Sequence, residues 1–156
     1  MRHFQVAADI TGKIADIFQK SMSFVLGNIR HIQGEQNVNA PGEPEIPQLS
    51  LEELIANALI HRDYFISAPV RLFVFDDRVE IISPGHLPNN LTIENIKRGY
   101  SNIRNPILAS YATKILPYRG LGSGIIRALR AYPHIDFEND RTGNQFKVII
   151  WRREQR

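Results

Sequence analysis

The chain of 156 residues has no cysteine. That excludes a disulfide framework and a thiolate metal site, and it makes a reducing cytoplasm the expected compartment. No run of apolar residues is long enough to cross a bilayer, so no membrane partner is expected. The first residues, Met1-Arg2-His3-Phe4-Gln5-Val6-Ala7-Ala8-Asp9, meet charge too soon to hold a signal-peptide core. Acidic residues are absent from Asn95 to Arg130, while seven basic ones stand there: Lys97, Arg98, Arg104, Lys114, Arg119, Arg127 and Arg130. Such a stretch suits a polyanion, either nucleotide phosphates or nucleic acid. It equally suits a solvated basic face balanced by acids elsewhere in the fold.

Against these absences stands one informative segment, Leu51 to Tyr64, which reads as a helix. Ser50 is placed to cap it, and Glu53, three residues on, completes a capping box. Leu51, Leu54, Ile55, Ala58 and Leu59 form one apolar arc, whereas Glu53, Asn57 and His61 step by four along the opposite face. A carboxylate can orient or deprotonate a water, and an amide oxygen is a hard ligand suited to Mg²⁺. Glu53 therefore has two readings, a cap of its own helix or a catalytic base. Asn57 is either a metal ligand or a solvated amide. His61 shares their face and is placed to meet a phosphate or a base edge, and it has a purely structural reading too.

The rest of the chain reads as alternating elements. A long amphipathic helix is expected from an Asp9 cap to Gly34, bent or broken near Ser21–Ser23. Residues 34–50 form a connector rich in Pro, Gly, Asn and Glu, with room for a short edge strand. Val70–Phe75 and Val79–Ser83 read as a strand hairpin, and the first, apolar on both faces, is expected well inside the sheet. Ser83 to Asn90 is a loop. Thr92 caps a short helix ending at Gly99, Asn105-Pro106 opens another that runs to about Leu116, and Gly120-Leu-Gly-Ser-Gly124 opens a third, Ile125–Tyr132. A closing hairpin turns near Arg141–Asn144, and the tail from Arg152 to Arg156 is expected to fray. The division is an N-terminal helix and connector (1–49), a main domain (50–151) and a basic tail (152–156). The architecture expected is α+β: a two-layer sandwich with a mixed, mainly antiparallel sheet and helices on one face.

The glycine-rich turn is the second candidate site. Glycines let backbone N–H groups approach an anion, and a helix N-terminus favours negative charge. No Gly-Lys-Ser/Thr follows, so it is no Walker loop, and the helix and Pro117 before it argue against a Rossmann turn. The order of motifs resembles the GHKL ATPase (Bergerat) fold of gyrase B, Hsp90 and histidine kinases. Asn57-Ala-Leu-Ile-His-Arg-Asp-Tyr64, Asp76-Asp-Arg-Val-Glu-Ile-Ile-Ser-Pro-Gly85 with Leu87-Pro88, Arg104-Asn-Pro106 and Gly122-Ser-Gly-Ile125 resemble one branch in particular. That branch is the C-terminal domain of the RecG-like transcriptional regulators, where it typically follows a DNA-binding domain. The resemblance covers roughly residues 50–150. It implies that Glu53 activates water, that Asn57 holds Mg²⁺, and that Gly120, Gly122, Ser123 and Gly124 hold phosphates. It also places the Pro84-Gly85 loop where GHKL proteins carry Asp-x-Gly-x-Gly, whose acid reads the adenine amino group. This sequence has no acid there, only Ser83, which predicts weak affinity and poor discrimination between ATP and GTP.

The function expected is ATP binding with Mg²⁺, with weak hydrolysis at most, as the regulatory domain of a DNA-binding transcriptional regulator. DNA would be met through an N-terminal domain outside this sequence, since the chain opens in a helix and reads as a fragment. A homo-oligomer is compatible with it. The family's helicase label does not carry over without a Walker motif. Two rivals stand beside this reading: a degenerate, nucleotide-free dimerisation or interaction module, and nucleic-acid contact through residues 95–130.

Overall fold

The computed structural model describes residues 4–33, 42–117 and 123–154. Its centre is a five-stranded sheet of β1 (Phe4–Asp9), β4 (Arg71–Phe75), β5 (Arg78–Pro84), β7 (Gln145–Trp151) and β6 (Ile135–Asp140), in that order across the sheet. Every described pairing is antiparallel, so the mixed sheet expected from the sequence is here a wholly antiparallel one. The register explains the core. Leu72 and Val74 of β4 pair with Ile81 and Val79 of β5, which pair in turn with Val148 and Ile150 of β7. Ile150 and Val148 then meet Ile135 and Phe137 of β6. All are buried, and with strand side chains alternating they share the face that the helices cover. On the other face, Glu80 lies between Arg78 and Lys147, at 3.7 and 3.4 Å.

The helical layer consists of α1 (Ile14–Asn28), α2 (Gln48–His61), α3 (Ile93–Lys97), α4 (Pro106–Ile115) and α5 (Ser123–Ala131). The result is an α+β two-layer sandwich with α2 at its centre. Leu51, Leu54, Ile55, Ala56, Leu59 and Ile60 are each 1% exposed or less. A helix buried on nearly all sides must have neighbours all round. Here α1, α4 and α5 flank it and β5 lies beneath.

Several local expectations are corrected. Phe4–Asp9 is a strand, and the helix expected from Asp9 begins only at Ile14: β1 pairs with β4 at the sheet edge, and Gly12, at φ 129°, separates it from α1. The edge strand is created by a partner more than sixty residues away, which helical periodicity cannot register. The helix α1 also ends at Asn28, and Ile29 is already extended. No break falls at Ser21–Ser23, because Ser21 and Met22 are buried in an unbroken helix. The connector supplies a short edge strand as expected: β3 (Glu43–Pro44) pairs with β2 (His31–Ile32). The Thr92 cap, which the structure completes as a capping box with Asn95, the Pro106 helix start and both hairpins follow the expected pattern. β4 is the second strand of the sheet, yet only Leu72 and Val74 in it are buried. The fully covered strand is β5.

A buried carboxylate ties the two ends of the fold together. Glu45, whose side chain has no exposure, meets Arg30 and Arg152 at 2.7 Å each. The Arg30 backbone N–H also donates to its Oε1 at 3.0 Å, and Arg152 Nη1 donates to the Phe75 carbonyl at 2.7 Å. The start of the C-terminal tail is therefore anchored where fraying was expected. Removing one member of a buried ion pair costs about 3–5 kcal/mol, because the partner charge stays buried. Arg152, with a side chain 4% exposed, would be left so in Glu45→Leu. That variant should lose about 3 kcal/mol or more of unfolding free energy in urea titration, and a loss within experimental error would show the clamp to be dispensable.

Candidate functional site

The site is built on α2. Glu53, Asn57 and His61 follow one another at single-turn intervals, and α5 closes against the first of them. Ser50 is the tether between the helices: its hydroxyl donates to the Ala128 carbonyl at 2.9 Å. This overturns the capping box. The helix begins at Gln48 after Pro47 with no side-chain cap, so Ser50 sits inside it and serves another helix. Glu53 is no cap either. It is buried at 4% exposure, and Arg127 Nε donates to its Oε1 at 2.8 Å. A second donor of the same guanidinium, Nη1, reaches Ser123 Oγ at 2.6 Å. Ser123 and Arg127 are four residues apart and so share one face of α5.

Gly124 makes this packing possible. A Cβ added there would lie 2.5 Å from Glu53 Oε2 and 3.8 Å from Asn57 Nδ2. Real side-chain carbons do not approach that closely, so with any larger residue at this position the buried Glu53 carboxylate, held by Arg127, must shift. The positive end of a helix favours a carboxylate beside it, which adds to the contact.

Asn57, His61, Gly85 and Gly124 line one pocket, together with Ser83, Arg104 and Arg127. Its deeper walls are apolar: Leu54 and Ala58 of α2, Ile81 of β5, Ile96 of α3, Ile125 of α5, and Phe146 and Val148 of β7. Of the site residues expected from the sequence, Glu53 and Ser123 lie just behind this wall, in contact through Arg127. Gly120 and Gly122 fall outside the described residues. At the apolar end, Ser83 is buried and its hydroxyl donates to the Ala58 carbonyl at 3.2 Å. Its proton is committed to α2, so toward a ligand it can only accept.

The C-terminal end of α2 shows what Arg104-Asn105-Pro106 does. Asn105 Nδ2 donates to the carbonyls of Ile60 and Arg62 at 3.0 and 2.8 Å. Arg104 donates to the His61 carbonyl at 3.4 Å and to the His86 carbonyl at 2.7 Å. The last carbonyls of α2, which have no helical partners of their own, are thus satisfied from α4's entry loop. Asn105 caps the end of α2 with its side chain and makes no cap bond to α4 itself. Gly85, at φ 98°, lies under this latch, where an added Cβ would strike the Arg104 guanidinium and come within 2.6 Å of Asp63 Cβ. Sequence reading missed Arg104, Asn105 and Arg127 as parts of the site. For Arg127 the available signal was a basic residue one turn after Ser123 in an acid-free stretch, but its partner is 74 positions away.

His61 is held neutral. Burial in the pocket wall, aided by the Arg104 charge, lowers its pKa from 6.5 to about 4. The unfolded chain binds a proton between those values that the folded chain does not, so stability falls as pH drops from 6.5 toward 4. At 1.36 kcal/mol per pKa unit the full loss is about 3 kcal/mol. Urea titrations at pH 7, 5.5 and 4.5 should show that part of the acid destabilisation disappearing in His61→Gln. Parallel pH profiles for wild type and variant would refute the buried neutral imidazole.

At the site, then, a buried carboxylate faces a glycine at a helix start, with an amide one turn further on and a largely apolar pocket beside them. Residues 67–150, more than half the chain, match the family described as "Putative ATP-dependent DNA helicase recG C-terminal", and the chain belongs to that family. It also resembles the crystal structure of the DIP2311 protein from Corynebacterium diphtheriae, with a TM-score of 0.67 and 24% identity. That likeness covers 88% of this chain and 28% of the other, so the chain spans little more than a quarter of that protein's length. No curated protein matches the chain. No helix among the described residues is long and apolar enough to cross a membrane.

Proposed function

We propose that this domain binds Mg-ATP, with slow hydrolysis at most, as the GHKL-type regulatory part of a larger DNA-binding transcriptional regulator. The observation that carries the nucleotide reading is the approach of Gly124 to Glu53 and Asn57 at the mouth of an apolar pocket. It brings a carboxylate, an amide and a helix start together, where phosphates would lie, beside an apolar pocket on the side where a base would go. The regulatory setting rests on the resemblance of the motifs.

The donor set fits Mg²⁺ in one way only. No group of three or more His, Asp or Glu able to hold a metal occurs among the described residues. Mg²⁺ commonly keeps its waters and phosphate oxygens and takes one or two protein ligands, so the Asn57 amide oxygen suffices on the protein side. The ion would neutralise phosphate charge. Within the chain, Asn57 holds and orients, Glu53 accepts the proton of a water, and the buried apolar wall excludes bulk water. Ser83, limited to accepting, suits an amino group of a base but offers one neutral hydrogen bond where a carboxylate would make a charged one. Weak affinity and modest preference for ATP over GTP follow.

The pocket measures about 80 Å³, well below the hundreds of Å³ of ordinary small-molecule sites. A nucleotide therefore needs one wall to move. The segment from Tyr100 to Arg104 lies outside helices and strands and holds Tyr100, Ser101 and Asn102 exposed at the pocket edge. Hydrogen exchange across residues 95–117 should slow when Mg-ATP is added, and identical protection with and without it would argue for a static wall.

Calorimetry with ATP, ADP and GTP, with and without Mg²⁺, tests the reading directly. Asn57→Ala should weaken Mg-nucleotide binding by about 10- to 100-fold, as loss of other metal-site groups does. Glu53→Gln should abolish any turnover, because an amide cannot take the water's proton. No binding by the wild type even at millimolar concentration would leave the nucleotide-free interaction module as the better reading. Two observations favour that rival: Ser83 in place of an acid, and the engagement of Glu53 by Arg127.

A further inference from the structure

Arg127 gives Nε to Glu53 and one Nη1 hydrogen to Ser123. Its remaining N–H groups have no partner among the described residues. The two members of the ion pair are unequally covered: the Glu53 side chain is 5% exposed, that of Arg127 24%. Arg127 also lines the pocket, next to Asn57 and Gly124, whereas Glu53 lies behind. One guanidinium thus grips the buried carboxylate from one edge, on a side chain that also lines the cavity. Its planar fork of five donors matches phosphate as well as carboxylate.

We propose that Arg127 is a phosphate-binding and positioning residue that exchanges partners. This deepens, and rests on, the nucleotide reading above. With no phosphate in the pocket, its Nε occupies Glu53 Oε1, and that oxygen cannot accept a proton from water. A nucleotide phosphate carries more negative charge than one carboxylate and offers more acceptor oxygens, so it competes for the same guanidinium. As Arg127 turns to the phosphate, Glu53 is released to face the water. Phosphate arrival and freeing of the base become one event, and a ligand without phosphates leaves the pair closed. The alternative is a fixed ion pair that only joins α2 to α5.

The test is calorimetric titration with Mg-ATP and with adenosine, on wild type, Arg127→Gln, Glu53→Gln and the double variant. Arg127→Gln should lose on the order of ten- to a hundredfold in ATP affinity, the usual effect of deleting a charged hydrogen-bond donor, with adenosine affinity unchanged. Glu53→Gln should bind ATP more tightly than wild type, because its guanidinium is no longer shared with a carboxylate. The single Arg127 variant leaves Glu53 buried without its cation and can fail to fold. The double variant removes both charges and keeps the comparison: it should bind ATP ten- to a hundredfold more weakly than Glu53→Gln. Equal ATP affinity across either pair, or equal losses for ATP and adenosine, would overturn the phosphate role while leaving nucleotide binding in place. Unchanged ATP affinity in Glu53→Gln would overturn the exchange of partners. A wild type that binds neither ligand would instead overturn the nucleotide reading, and this inference with it.

Discussion

The structure depends on one buried carboxylate. Taking an ion out of water costs several kcal/mol unless a partner charge and hydrogen bonds replace the lost solvent. Glu53 is placed deep between α2 and α5, and its neighbourhood answers that cost. Arg127 supplies the charge, Ser123 steadies the guanidinium, and Gly124 withholds a side chain so that the helix start can close on the carboxylate. Ser50, one turn earlier on α2, locks the two helices with a bond to Ala128. An arrangement that stores a carboxylate so closely at the edge of a pocket has chemical potential that a plain helix–helix contact lacks.

The opposite end of α2 is governed by a different constraint, the unsatisfied carbonyls of a helix terminus. Arg104 and Asn105 satisfy them from the segment that also forms a pocket wall. The basic stretch therefore changes meaning once folded. Two of its seven cations, Arg104 and Arg127, are committed to contacts inside the domain, while Lys97, Arg98, Lys114 and Arg130 are exposed. A surface for a long polyanion is correspondingly thinner than the linear sequence suggests. Any movement of the 100–104 segment would be felt at the His61 end of α2 through the same two side chains.

Reading from sequence succeeded where the signal is local. The apolar period of α2, the Thr92 cap, the Pro106 start and the hairpin breakers each concern residues within a turn or two of each other. It failed at β1, whose strand state exists only because β4 offers it an edge, and at the two ends of α1. It also failed at Ser50, a good cap by type and place, because a buried partner on α5 outbid the local role. The serine at position 83 was visible as a departure from the acidic pattern. That its proton is committed to Ala58 was not.

By itself the sequence determined the elements from α2 onward, their order, the helical face that joins Glu53, Asn57 and His61, and the glycine at the start of α5. Periodicity and backbone breakers act over a few residues, and so they are written locally. Only the tertiary structure decided what those side chains do. Glu53 finds Arg127 across 74 positions, Glu45 finds Arg152 across 107, and Gly124 acquires its necessity from a carboxylate on another helix. Partner choice between distant charges is settled by burial, since a charge removed from water must take whatever opposite charge the packing brings beside it, and no short window of sequence contains that information.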